Sequence, residues 1–159
     1  MAAQTNYSYS TPKGVPGGKF DLSNDEVKSR INDEADGSMK FGIAVATGAN
    51  AGNSVKLPVT GTTDKDIEGV TINSGTTEID VSGKVVIRKG ATLGVITKGN
   101  VWGRIAKTAN PAYHKPAYVI ISGDEAGSFT DTSGATTVDI KAKFGSEVDK
   151  DNGIAVIEL

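Results

Sequence analysis

From about Lys40 onward, hydrophobic and polar positions alternate in short runs. In the clearest run, Val138, Ile140, Ala142 and Phe144 fall on one side and Asp139, Lys141 and Lys143 on the other, because successive side chains of a strand point to opposite faces. Ile79 and Val81 alternate with Glu78, Asp80 and Ser82 in the same manner, as do Val55, Leu57 and Val59 around Lys56 and Pro58. Pro58 cannot donate to a ladder and so marks an edge. Val85-Val-Ile87 and Tyr118-Val-Ile-Ile121 are apolar without alternation, the pattern of strands covered on both faces. Turn residues separate these runs at 48–52, 74–75, 82–83, 89–90, 98–100, 123–127, 133–134 and 152–153. About ten short strands at this spacing predict an all-β fold, a compact β-barrel or β-sandwich.

Ahead of residue 40 the period is helical. Ser23 is placed to N-cap, Glu26 stands three residues on to complete a capping box, and Leu22 can staple against Val27. Asp25 and Glu26 suit the positive end of a helix dipole, and Gly37 can terminate it. A short helix over about 23–36 is therefore predicted, with Val27, Ile31 and Ala35 as its buried stripe. Residues 1–20 offer little to bury beyond Tyr7, Tyr9, Val15 and Phe20, and 11–18 is a run of backbone breakers. This predicts an extended N-terminal arm, residues 1–20, before a single β-rich domain, residues 21–159. Tyr7 and Tyr9 would project from the same side of an extended chain, so the arm could lie along a partner's surface.

Composition narrows the chemistry. The 159 residues carry 17 basic and 19 acidic side chains and 20 glycines. Cysteine is absent, which removes thiol nucleophiles, Cys-based zinc sites and iron–sulfur clusters. No apolar run approaches the ~18 residues of a membrane span, and the first residues lack the pattern of a signal peptide, so a soluble, unprocessed protein with no membrane partner is expected. The lone histidine, His114, sits in a proline-flanked loop beside Lys115 and has no second imidazole with which to build a triad or a metal site. Asp149-Lys-Asp-Asn-Gly153 lacks the later ligands of a calcium loop and reads as a polar turn. Asp124-Glu125 reads as an acidic hairpin tip, and no phosphate-cradling glycine motif occurs. No catalytic residue, metal site or cofactor is expected.

Charge is unevenly distributed. Residues 84–115 hold seven cations and no carboxylate, namely Lys84, Arg88, Lys89, Lys98, Arg104, Lys107 and Lys115. Trp102 and Tyr113 lie among them, the mixture that single-stranded nucleic acid uses. The overall pI of 5.4 is far from that of a basic domain and disfavours nucleic acid. Solvated turns account for these cations first, and a protein interface second.

Five stretches are similar in order and pattern to the structural cement, or head decoration, proteins of tailed bacteriophages. They are Tyr7-Ser-Tyr-Ser-Thr-Pro-Lys-Gly-Val-Pro-Gly-Gly18, Arg30-Ile-Asn-Asp-Glu-Ala-Asp-Gly37, Trp102-Gly-Arg-Ile-Ala106, Gly123-Asp-Glu-Ala-Gly127 followed by Phe129-Thr130, and Gly153-Ile-Ala-Val-Ile-Glu-Leu159. The resemblance implies a non-enzymatic protein made in the host cytoplasm. It implies addition to the capsid exterior of the virion after expansion, often as a homotrimer, where the protein ties neighbouring major capsid protein subunits together. For that role Tyr7, Tyr9, Pro12 and Phe20 are the candidate docking residues of the arm, and Arg88, Lys89, Trp102 and Arg104 a candidate interface on the body. A carbohydrate-binding or host-adhesion β module is the alternative, since such modules are also glycine-rich with exposed aromatics.

Overall fold

The computed structural model describes residues 14–74 and 79–159. Among these described residues ten strands form two sheets, as the all-β expectation requires. The first sheet is a closed barrel of β1 (Glu26–Asn32), β2 (Ala44–Thr47), β3 (Ser54–Lys56), β4 (Ile67–Ile72) and β5 (Thr92–Lys98), in the order β1-β3-β2-β4-β5. An antiparallel ladder between β5 and β1 closes it. The second sheet runs β6-β10-β9-β7-β8, built from β6 (Asn100–Arg104), β7 (Pro116–Ile120), β8 (Phe129–Thr130), β9 (Thr137–Phe144) and β10 (Ile154–Glu158). Gly99 alone separates β5 from β6, so the last barrel strand leads straight into the second sheet.

The pleat of the barrel strands sorts two cores. Ala44, Val70 and Ile96 turn outward and join Val101, Val119, Phe129, Phe144 and Ile157 of the second sheet in one buried cluster. Their chain neighbours Val45 and Val95 turn the other way and pack with Met39, Ile43, Val55 and Leu93 within the barrel. Arg30 lies opposite Leu93 in the ladder and therefore shares its inward face. Its Nε and Nη2 each donate to Glu68 Oε2 at 2.9 Å, linking two strands that are not neighbours in the barrel.

The helix expected over 23–36 is not formed, because Glu26–Asn32 is β1. Ser23 does not cap. Its backbone N–H and its hydroxyl both donate to Asp21 Oδ1. A helix in this position would leave β5 and β3 with unpaired edges, whereas β1 pairs with both. That tertiary gain outweighs a local helix preference worth only tenths of a kcal/mol per residue, roughly. Val27 and Ile31, expected to be buried, are 39% and 44% exposed.

Other elements also part from expectation. Val138 to Phe144 is indeed strand β9, with Ala142 and Phe144 buried and Lys141 and Lys143 exposed. By contrast, β3 stops at Lys56 inside the closed barrel, so Pro58 lies beyond the strand and marks no edge. β7 alternates between buried Ala117 and Val119 and half-buried Tyr118 and Ile120, rather than being covered throughout. The segment 79–87 joins neither sheet, and a single bridge between Ile79 and Val85 makes it an outlying hairpin. The barrel is already closed by the β1–β5 ladder, which leaves no edge for that segment to join.

Candidate functional site

Residues 14–20, expected as the end of an extended arm, instead fold through a turn at Val15–Gly18, closed by the Gly18 N–H donating to the Val15 carbonyl at 2.8 Å, and lie bonded along the outer edge of β6. The Gly17 N–H donates to the Trp102 carbonyl at 2.7 Å, the Trp102 N–H to the Gly18 carbonyl at 2.8 Å, and the Phe20 N–H to the Asn100 carbonyl at 3.0 Å. The Asn73 N–H donates to the Gly17 carbonyl at 2.8 Å, which ties the same segment to the exit of β4. The Trp102 side chain adds a second grip. Phe20 meets the indole edge-on with ring centroids 5.6 Å apart, and a Cβ at Gly14 would fall 2.1 Å from Trp102 Nε1. Only glycine admits this approach. Two of the expected site residues, Phe20 and Trp102, are thus one contact, and its place is the root from which residues 1–13 continue. Tyr7, Tyr9 and Pro12 lie outside the described residues.

Arg104 stands two positions along β6 from Trp102 and shares its face. Its N–H donates to the Gly42 carbonyl at 2.7 Å and its Nε to the Phe41 carbonyl at 2.9 Å. Burial lowers the pKa of its guanidinium from the ordinary value. Arg88 and Lys89 belong to the loop that enters β5 and stand on the barrel, apart from the Trp102 contact. Arg88 pairs with Asp36 at 3.5 Å, and the Lys89 N–H donates to Asp36 Oδ1 at 2.8 Å. The seven cations of residues 84–115 are therefore spread over a hairpin, two loops and two strands, not gathered on one stripe.

Lys40, Phe41 and Gly42 were not marked by any sequence motif, yet the fold sets them against Arg104 and Trp102. The Thr71 hydroxyl holds this turn, donating to the Lys40 carbonyl at 2.8 Å and accepting the Ile43 N–H at 3.2 Å. Contacts formed between positions 63 residues apart leave no local signature. The remaining candidates have ordinary surroundings. His114 is exposed and stacks, tilted, on Tyr113 with centroids 3.9 Å apart. Asp149 closes a polar turn by accepting the Asp151 N–H and the Asn152 side-chain amide.

A family model described as "Structural cement protein (E217 gp24/Pam3 gp6)" matches residues 3–159. The fold is similar to a chain of a solved structure described as "The capsid of Myoviridae Phage XM1", with a TM-score of 0.72 and 20% identity over 99% of this chain and 97% of that chain. No curated protein matches the chain.

Proposed function

Because the chain belongs to the structural cement protein family of phages, we propose that it binds the exterior of an assembled, expanded phage head and ties neighbouring major capsid protein subunits together. The observation that carries this reading is that family membership spans residues 3–159, the body and most of the N-terminal segment alike. On this reading the protein is made in the host cytoplasm, adds to the virion as a homotrimer and performs no covalent chemistry. Residues 1–13, with Tyr7, Tyr9 and Pro12, dock on the shell from a root fixed by Phe20 and Trp102, while Arg88 and Lys89 face the same partner.

The mechanism is linkage. A ligand that binds only adjacent subunits in their mature arrangement stabilises that arrangement, by about 2.7 kcal/mol per site at a hundredfold excess over Kd. Ordering an arm costs roughly 1–2 kcal/mol per residue, so each copy alone gains modest net affinity. Three arms on one trimer convert later contacts into intramolecular ones and raise avidity without new chemistry. The body suits dense packing on a shell, since the barrel has no edge and the β6 edge is covered by residues 17–20.

Sedimentation of the purified protein with expanded empty heads, unexpanded proheads and dissociated capsid subunits tests this. Retention on expanded heads alone is expected. Equal binding to dissociated subunits, or retention on none of the three, would refute the reading.

A further inference from the structure

The hairpin between β4 and β5 presents apolar groups to solvent from a rigid turn. Asp80 builds that turn: its Oδ1 accepts the Ser82 hydroxyl at 2.6 Å, the Ser82 N–H at 2.8 Å and the Lys84 N–H at 2.9 Å. The Asp80 N–H donates to the Lys84 carbonyl at 2.8 Å. These bonds, the Ser82 hydroxyl first, hold the Asp80 carboxyl below its ordinary pKa. Val81 at the apex is fully exposed, and Ile79 and Val85 on the two legs are 59% and 56% exposed. Single exposed hydrophobics are common, whereas three on one ordered projection mark a contact surface.

Beside this hairpin lies a cleft lined by Lys40, Lys84 and Arg104 together with Phe41, Val85 and Ile87, and by no carboxylate. Among the described residues none of these three cations is paired with an acidic side chain. Arg104 is also partly withdrawn from water and fixed by the Phe41 carbonyl, so its charge is held in place. Three like charges around one depression repel one another, and an incoming carboxylate relieves that repulsion.

We propose that this cleft and hairpin together dock an acidic extended segment of a shell subunit, with its carboxylates among Lys40, Lys84 and Arg104 and an apolar side chain against Val81 and Val85. This rests on the head-binding reading above and names where on the body that binding occurs. The chemistry favours a polypeptide over nucleic acid, because Phe41 is the single aromatic ring lining the cleft, the exposed apolar groups of the hairpin are β-branched, and the carboxylates Asp36 and Asp80 stand nearby on the same loops.

The test compares retention on expanded heads of the wild type, Lys40→Glu/Lys84→Glu, Lys40→Arg/Lys84→Arg and Val81→Asp, with denaturation midpoints confirming an intact fold in each. Charge reversal is expected to weaken retention by about tenfold or more and to flatten its dependence on salt. The arginine pair should bind as wild type does, and Val81→Asp should lose affinity, through the lost apolar contact and through the carboxylate it adds beside an acidic segment. Wild-type retention by either the reversed pair or Val81→Asp would overturn the proposal while leaving head binding standing. Failure of the wild type to bind heads removes both. Displacement of the wild type from heads by a thymidine oligonucleotide would also overturn it, in favour of a nucleic-acid site.

Discussion

Removal of residues 1–13 should all but abolish retention on expanded heads while leaving the denaturation midpoint of the body unchanged. The cut ends at Lys13 for a structural reason. From Gly14 onward the chain is part of the sheet edge, through the indole contact at Gly14 and the backbone bonds of Gly17, Gly18 and Phe20 to β6. A deletion carried to residue 19 would uncover that edge and confuse lost docking with lost folding. The size of the effect follows from Tyr7 and Tyr9. Two docked tyrosines, at hot-spot values of about 2 kcal/mol each, amount to about a thousandfold in affinity. Affinity undiminished by the deletion would show that residues 1–13 do not hold the shell.

Gly42→Ala should be strongly destabilising on the surface that roots the arm. Gly42 has a φ of +75°, where an L side chain is strained, and an added Cβ would lie 2.7 Å from the Gly17 nitrogen and 2.8 Å from the Trp102 carbonyl oxygen. The left-handed backbone costs about 1–2 kcal/mol and the overpacking about 1–3 kcal/mol, so a loss of roughly 2–5 kcal/mol is expected. Gly52→Ala separates the two contributions: its φ is +81° but an added Cβ there meets nothing, so only the backbone contribution should appear. Trp102, the only tryptophan, reports the local consequence. Displacing residues 14–18 should shift its fluorescence to the red and open Lys19 to protease in Gly42→Ala alone. Equal destabilisation of the two variants, with unchanged fluorescence, would refute the steric argument.

How far the sequence discloses this molecule depends on the range of the interactions concerned. The β9 alternation and the turns at 82–83, 89–90, 98–100 and 152–153 are local, and they appear as read: Gly83, Gly90, Gly99 and Gly153 all take positive φ. β1 was illegible because Val27 and Ile31 stand four apart, a spacing that suits both one face of a helix and every second residue of a strand. The choice between them was made by β5 and β3, more than twenty residues away. Ile79 and Val81 carry a strand's alternation without a sheet to join, so their burial could not be read from pattern. The site shows the same division. Trp102 and Phe20 were each visible as candidates, but their contact was not. The cation cleft was hidden because Lys40 enters from another part of the chain, outside the basic segment 84–115.

Cementing differs from mere decoration in one respect: bound protein must raise the resistance of the shell itself. Thermal disruption of expanded empty heads, followed by light scattering with and without saturating protein, measures this directly. A higher disruption temperature is expected, one that rises with occupancy and returns to the bare-head value when the variant lacking residues 1–13 replaces the full chain. Heads fully occupied by the protein yet disrupting at the bare-head temperature would contradict a bridging role.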